Sequence, residues 1–331
     1  MAAMSDPATS DPFATLRARM ESARHVSPVS RPAAPLGDQA RVLRGLMQTR
    51  QEPTLDVARN APSSARTVSI TSGKGGVGKS VLALNLAIAL AQCGSKVCLL
   101  DANLGLGNID LLCSLNGYWN LSHVVTGARQ LKDVLLKGPA GIDVVPGASG
   151  LADLADCPES ARRDILQQVS SLEQSYDFLL IDTGAGIHRG VRYFAAAADH
   201  VLLVTTPEPT AVADAYATVK SLVGETDPAL ELVVNQCRSA GQARDIALRL
   251  KQTAHTFLGR DVEMAGCIPR DHAVEESVAA RKPFAITHTS SSATLAVLQL
   301  ARRLQQTHQA NPTRGCFFER LSERILRSAH R

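Results

Sequence analysis

The sequence predicts an α/β fold, a mainly parallel sheet covered by helices on both faces. Three observations carry this. Seven apolar, β-branched runs recur between residues 67 and 269, a composition typical of strands buried on both faces. Segments of helical length separate most of them, with short connections. The first run passes through a glycine-rich turn straight into a helical segment. That arrangement aims backbone N–H groups and a helix dipole at one centre, so it cradles phosphate.

In chain order the strands are TVSIT (67–71), VCLLD (97–101), GIDVVPG (141–147), DFLLID (177–182), HVLLVTT (200–206), LELVVNQ (230–236) and MAGCIP (264–269). The apolar stretch 80–93, stopped by Gly94, reads as the first helix. Helices are expected over roughly 159–174, 190–198, 209–223, 241–256, 271–280 and 292–307. Ligands of such sheets bind beyond the carboxyl ends of the strands.

The flanks differ from this centre. Residues 1–66 are rich in Pro, Ser, Ala and Arg and are expected to be a mostly disordered arm. Within it, Asp38 reads as an N-cap, and Val42, Leu43, Leu46 and Met47 recur at helical spacing. Residues 67–310 form the expected domain, and 311–331 a tail. In the tail, Phe317, Phe318, Leu321 and Ile325 fall on one helical stripe, flanked by Arg320, Arg324 and Arg327. Such a helix can lie in a lipid headgroup layer with its arginines on anionic lipid.

Bulk properties narrow the function. The 331 residues carry a formal charge of +4, too mild to predict nucleic-acid binding. None of the seven cysteines forms a C-x-x-C pair, which argues against disulfide, iron–sulfur and zinc scaffolds. No apolar run reaches membrane-spanning length. The N-terminal residues, with Asp6 and Asp11, do not read as a secretory signal.

The chemistry sits in GKGGVGKS (73–80). Gly73, Gly78, Lys79 and Ser80 satisfy G-x-x-x-x-G-K-[ST], so the expected fold is a P-loop NTPase. The cradle comprises Gly73, Lys74, Gly75, Gly76, Val77, Gly78, Lys79, Ser80 and Val81. Lys79 is expected on the β- and γ-phosphates and the Ser80 hydroxyl on Mg²⁺. Asp182 opens D-T-G-A-G, a D-x-x-x-G pattern that assigns it to the Mg²⁺ shell through water and Gly186 to the γ-phosphate. No N-K-x-D guanine signature is present, so ATP is preferred over GTP.

With Lys74, the loop K-G-G-V-G-K-S resembles the deviant Walker A sequence of the MinD/ParA ATPases. DANLGLGNID (101–110), VVPGASGLADLA (144–155), DTGAGI and TTPEPTAVADAY extend the resemblance to the flagellar MinD-like ATPases of the FlhG, FleN and YlxH type, over roughly residues 38–331. The resemblance implies that Lys74 reaches a partner protomer's phosphates across an ATP-dependent homodimer. It places Asp101 and Asn103 in a catalytic switch I, where the family has Asp at position 103. An amide orients water but cannot take its proton, so turnover is expected to be slow, with a non-hydrolysing ATP-dependent adaptor as the alternative. The resemblance also puts Asn235, Ile268, Pro269 and Asp271 at the base and Glu208 across the dimer.

Asp38, Gln39, Ala40, Leu43 and Arg44 resemble the family's D-Q-A-x-G-L-R segment, which implies docking on the GTPase FlhF and stimulation of its GTP hydrolysis; Val42 stands at the family glycine. The tail helix matches the family's membrane-targeting helices. The implied protein is a cytoplasmic switch, peripheral on the inner face of the cell membrane. It would set flagellar number and placement, with basal-body or transcriptional partners. A DNA-binding ParA-like partition ATPase, with nucleic acid as an unlikely partner, and a metabolic ligase of the same fold are competing readings.

Overall fold

A computed structural model describes residues 65–103, 107–147, 151, 159–224, 228–310 and 315–329. The D-Q-A segment at 38–44 lies outside the described residues, as do Leu104 to Leu106 of switch I. Strand β1 (Arg66–Ser72) leads through the glycine loop into helix α1 (Lys79–Gln92). Strand β2 (Val97–Ala102) is followed by short helices α2 (Ile109–Leu112), α3 (Leu121–Val125) and α4 (Leu131–Val134). Then come β3 (Leu136–Lys137), β4 (Asp143–Val145), α5 (Glu159–Ser175), β5 (Phe178–Ala185), α6 (Arg189–Ala197), β6 (His200–Thr205) and α7 (Pro209–Leu222). The chain continues with β7 (Ala229–Cys237), α8 (Ala240–Leu258), β8 (Glu263–Pro269), α9 (His272–Ala279), α10 (Phe284–Thr287), α11 (Ser292–Ala310) and α12 (Phe317–Ala329).

The strands form one sheet in the order β3-β4-β2-β5-β1-β6-β7-β8. All neighbours are parallel except β3, which returns antiparallel on β4. β3 is the one strand the sequence reading lacks, because two residues are too short to show alternation. β1 lies in the middle, fully buried between β5 and β6. Alternate side chains of β5 enter opposite layers: Leu180 packs with Val68, Ile70 and the helix α1, while Leu179 and Ile181 face the other side. This two-sided burial is why the strands read as continuous apolar runs. Helices α1 and α11 cover the first face; α5, α6 and α12 lie over part of the second.

Two expectations change here. The strand carrying Asp182 does not stop at that residue but runs on to Ala185, because a register shift in β1 lets Ser72 pair with Ala185. The tail helix is also not a free lipid-facing element. Phe317, Phe318, Leu321 and Ile325 are only 0–3% exposed and belong to the core layer of α5 and α6. A helical wheel shows that a stripe needs an apolar partner, and here the protein supplies one. Phe317 stands 6.5 Å from Phe194 and 5.1 Å from Phe318, centroid to centroid.

Polar contacts hold α12 in place. Its first amides lack a partner of their own, as at any helix start. Glu173 of α5 supplies it: its carboxylate accepts from the Phe317 N–H at 3.0 Å and the Phe318 N–H at 3.1 Å, and from the Cys316 thiol. Arg320, read from sequence as lipid-facing, donates to the last-turn carbonyl of Ala197 at 2.7 Å and to Asp199 at 3.0 Å. Asp199 also accepts from the Thr67 amide and hydroxyl, so one buried carboxylate ties both ends of the domain together. Among the described residues no helix is long and apolar enough to cross a membrane.

Candidate functional site

The glycine loop follows β1 at the carboxyl edge of the sheet. Gly73 is required by space, Gly76 by its backbone angle at φ 80°, and Gly78 by both. A Cβ at Gly73 would lie 2.2 Å from the Asp214 carbonyl oxygen of α7. Gly78 caps α1 at φ 85°, and a Cβ there would meet the Asn235 amide at 2.5 Å. The loop is therefore pressed between α7 and the end of β7.

Two adjoining cavities open beside the loop. One of about 520 Å³ is walled by Lys74 through Val81, with Asn103, Asn108, Leu111, Leu112, Val278 and Arg281 among its other residues. The second, about 270 Å³, is lined by Gly78, Val81, Asn235, Ile268, Pro269, Asp271 and neighbours, and is mostly apolar. A polar, cationic chamber beside an apolar slot suits a phosphate chain joined to a base.

Lys79, on the wall of the larger cavity, forms a buried ion pair with Asp182, which lines neither cavity, Nζ to Oδ1 at 2.8 Å. Burial pushes the Asp182 carboxyl up from its ordinary value, opposed by the Lys79 charge and the nearby Ser80 hydroxyl. Its second oxygen, Oδ2, is buried without a hydrogen-bond partner among the described residues. An orphaned carboxylate oxygen beside a hydroxyl is a donor set suited to a hard cation such as Mg²⁺.

Asp101 and Asp182 stand opposite each other on neighbouring strands. Asp101 does not line the cavity, contrary to its grouping with the catalytic residues. It lies beneath, 1% exposed, where its oxygens accept the Asn103 and Ile109 amides at 3.2 Å each. It thus clamps both ends of the switch I loop and holds Asn103 at the cavity wall. Burial, then the Asp182 charge, lift its carboxyl to about 6, against three backbone donors. Asn103 stands on the wall of the larger cavity.

Lys74 points outward. Its ammonium bonds Glu208 at 2.6 Å and Thr210 at 3.0 Å within the same chain, and Glu208 lines neither cavity. Asn235 lines the smaller, apolar cavity, and its amide donates to the Val77 carbonyl at 2.8 Å, bracing the glycine loop. Asp271 caps α9 and binds Ser292 and Ala293, contacts that keep its carboxyl below the usual range. Gly186 adopts φ 95° and donates to the Ser72 carbonyl, fixing the loop after Asp182. Sequence reasoning missed Arg281, Asn108, Leu111 and Leu112 on the phosphate wall. No local motif marks Arg281, Leu111 or Leu112, whereas Asn108 falls within the DANLGLGNID segment.

A parallel sheet with this loop, a doubled lysine and a buried Lys–Asp pair defines a P-loop ATPase of the deviant Walker A, MinD/ParA group. The family described as "AAA domain" matches residues 65–232. The chain is 36% identical over 261 residues to the antiactivator FleN of Pseudomonas aeruginosa, covering 77% of this chain and 93% of FleN. It is 32% identical to the flagellum site-determining protein YlxH of Helicobacter pylori over 66% of this chain and 74% of YlxH. Among solved structures, the MinC:MinD cell division complex of Aquifex aeolicus superposes with TM-score 0.60 at 27% identity, over 73% of this chain and 96% of that one. MinD of Pyrococcus horikoshii, complexed with Mg-ADP, gives TM-score 0.60 at 25% identity, over 73% and 97%. The chain belongs to the flagellar MinD-like ATPase family of the FlhG, FleN and YlxH type.

Proposed function

We propose that this protein is an ATP-dependent dimerising switch that associates with the inner membrane surface and regulates flagellar number and placement. The observation that carries the reading is the opposite setting of the two loop lysines. Lys79 is turned inward on Asp182, while Lys74 is half-exposed at the rim, held by a surface carboxylate. An exposed ion pair is worth little, so Lys74 exchanges Glu208 for a partner's phosphates at small cost. Exposed Leu111 and Val278 on the same wall give a second copy apolar surface to cover.

Ser80 and, through water, Asp182 would hold Mg²⁺, which neutralises charge on the phosphate oxygens. Lys79 leaves Asp182 for the β- and γ-phosphates, and Asn235, Ile268 and Pro269 border the base. Asn103 orients water but accepts no proton, so turnover is slow. Asn103→Asp restores a carboxylate and is expected to raise the rate about a hundredfold, the lower end for a general base. Phosphate release under saturating ATP measures this. No wild-type hydrolysis at any protein concentration would leave a non-hydrolysing adaptor as the reading. Light scattering tests the dimer: ATP doubles the mass of the wild type, and Lys74→Ala stays monomeric.

The segment Asp38, Gln39, Ala40, Leu43 and Arg44 is proposed to dock on an FlhF-type GTPase. A peptide spanning residues 36–50 is expected to accelerate GTP hydrolysis by a cognate FlhF, and Gln39→Ala to remove the effect. An inert peptide defeats this part. The membrane role is assigned to α12, whose apolar stripe must first leave its groove.

A further inference from the structure

We propose that Arg281 is an additional phosphate-binding residue of the nucleotide site, contributed by the loop after α9 rather than by the glycine loop. This rests on the ATP reading above and adds a residue that no Walker-type motif contains.

Arg281 shares the wall of the larger cavity with Lys74, Lys79 and Ser80. Its backbone is in the left-handed region, at φ 52°. It is the residue just past the C-cap of α9, Ala280: the Arg281 amide donates to the Val278 carbonyl at 3.1 Å and the Lys282 amide to the Ser277 carbonyl at 3.0 Å. Helices that stop this way favour glycine at that residue, because a Cβ is strained there. An arginine in a glycine position is a local rule broken, and such breaks are held where function needs them.

The surroundings hold the strained residue in place. The Ser114 hydroxyl donates to the Arg281 carbonyl at 3.2 Å, and Ser114 is itself left-handed at φ 54°. Ser114 follows α2 on the switch I side, so two strained residues join the switch I wall to the base-side helix. A third, Gln236 at φ 56°, lines the base slot. Of the four described non-glycine residues with positive φ, Arg281 and Gln236 line the two cavities, Ser114 bonds Arg281, and Ala140 lies elsewhere. The guanidinium makes no ion pair among the described residues. A cation with five fixed donors, free of carboxylates and beside a phosphate chamber, is suited to bind phosphate oxygens.

A helix-ending cation also favours the helix dipole, so the test must separate ligand binding from capping. Arg281→Gly removes the cation and relieves the backbone, keeping the fold. Calorimetric titration with ATP, ADP and adenosine, each with and without Mg²⁺, is the readout. The expected result is ATP binding about tenfold weaker, one charge-assisted contact, with a smaller loss for ADP and unchanged adenosine affinity. Arg281→Lys recovers part of the ATP affinity. Wild-type ATP affinity in Arg281→Gly overturns the proposal, as does an equal loss for adenosine, which would mark a structural effect. A wild type that binds no nucleotide brings down the ATP reading itself.

Discussion

Lys79→Ala is expected to weaken ATP binding by about a hundredfold or more and to destabilise the nucleotide-free protein. The ammonium is the cation turned deepest into the phosphate chamber, and two charge-assisted bonds of about 1.5–3 kcal/mol each set the scale of the loss. The stability effect has a separate cause. Lys79 is the ion-pair partner of an Asp182 that is 1% exposed, and removing one member of a buried pair costs about 3 kcal/mol or more. The deserted carboxylate relieves itself by protonation. Its folded pKa, already raised by burial, rises further without Lys79. A raised acid favours folding below its unfolded pKa and loses that contribution as pH climbs through the folded value. The deficit of the variant therefore shrinks as pH falls. Adding Asp182→Asn to Lys79→Ala removes the stranded charge and is expected to recover stability but not ATP affinity. Denaturation midpoints and nucleotide titrations of the wild type, the two single variants and the double variant check this. Recovered affinity in the double variant would contradict the assigned role of Lys79.

The second large effect concerns α12. Phe317→Ala is expected to lower stability by about 3 kcal/mol, in the range for a buried Phe lost to a cavity, or by the docking energy of α12 if the helix detaches first. Thermal unfolding gives the total, and hydrogen exchange of the α12 amides shows which occurs. The same ring is the proposed lipid anchor, so Phe317→Ala should also weaken ATP-dependent liposome binding. Glu173→Ala separates the two roles, because it removes the helix cap but leaves the apolar stripe intact. It is expected to make liposome binding less dependent on ATP. Deletion of 314–331 should abolish binding altogether. Unchanged liposome binding in the deletion would end the membrane assignment and leave α12 a purely structural helix.

Much of this protein is legible from sequence because its signals are local. GKGGVGKS binds phosphate with consecutive amides, so eight adjacent residues state the chemistry and the strand and helix on either side state the fold. Strands buried on both faces announce themselves by composition alone. The reading of Asn103 was likewise local, because DANLGLGNID is one contiguous segment. The sequence also determined that residues 317–325 carry an apolar stripe requiring a partner.

Tertiary structure decided which partner. Glu173 caps a helix 144 residues away in the chain, Lys79 meets Asp182 across 103 residues, and Ser114 bonds Arg281 across 167. No spacing rule reaches over such distances, because the order of the strands, and not their sequence neighbours, sets who meets whom. Asp101 shows the same limit at short range. A carboxylate at a strand end reads as a catalytic group until its oxygens are seen to accept the amides of its own loop. Burial and hydrogen-bond direction, which separate a group that touches ligand from one that positions it, exist only once the chain has folded.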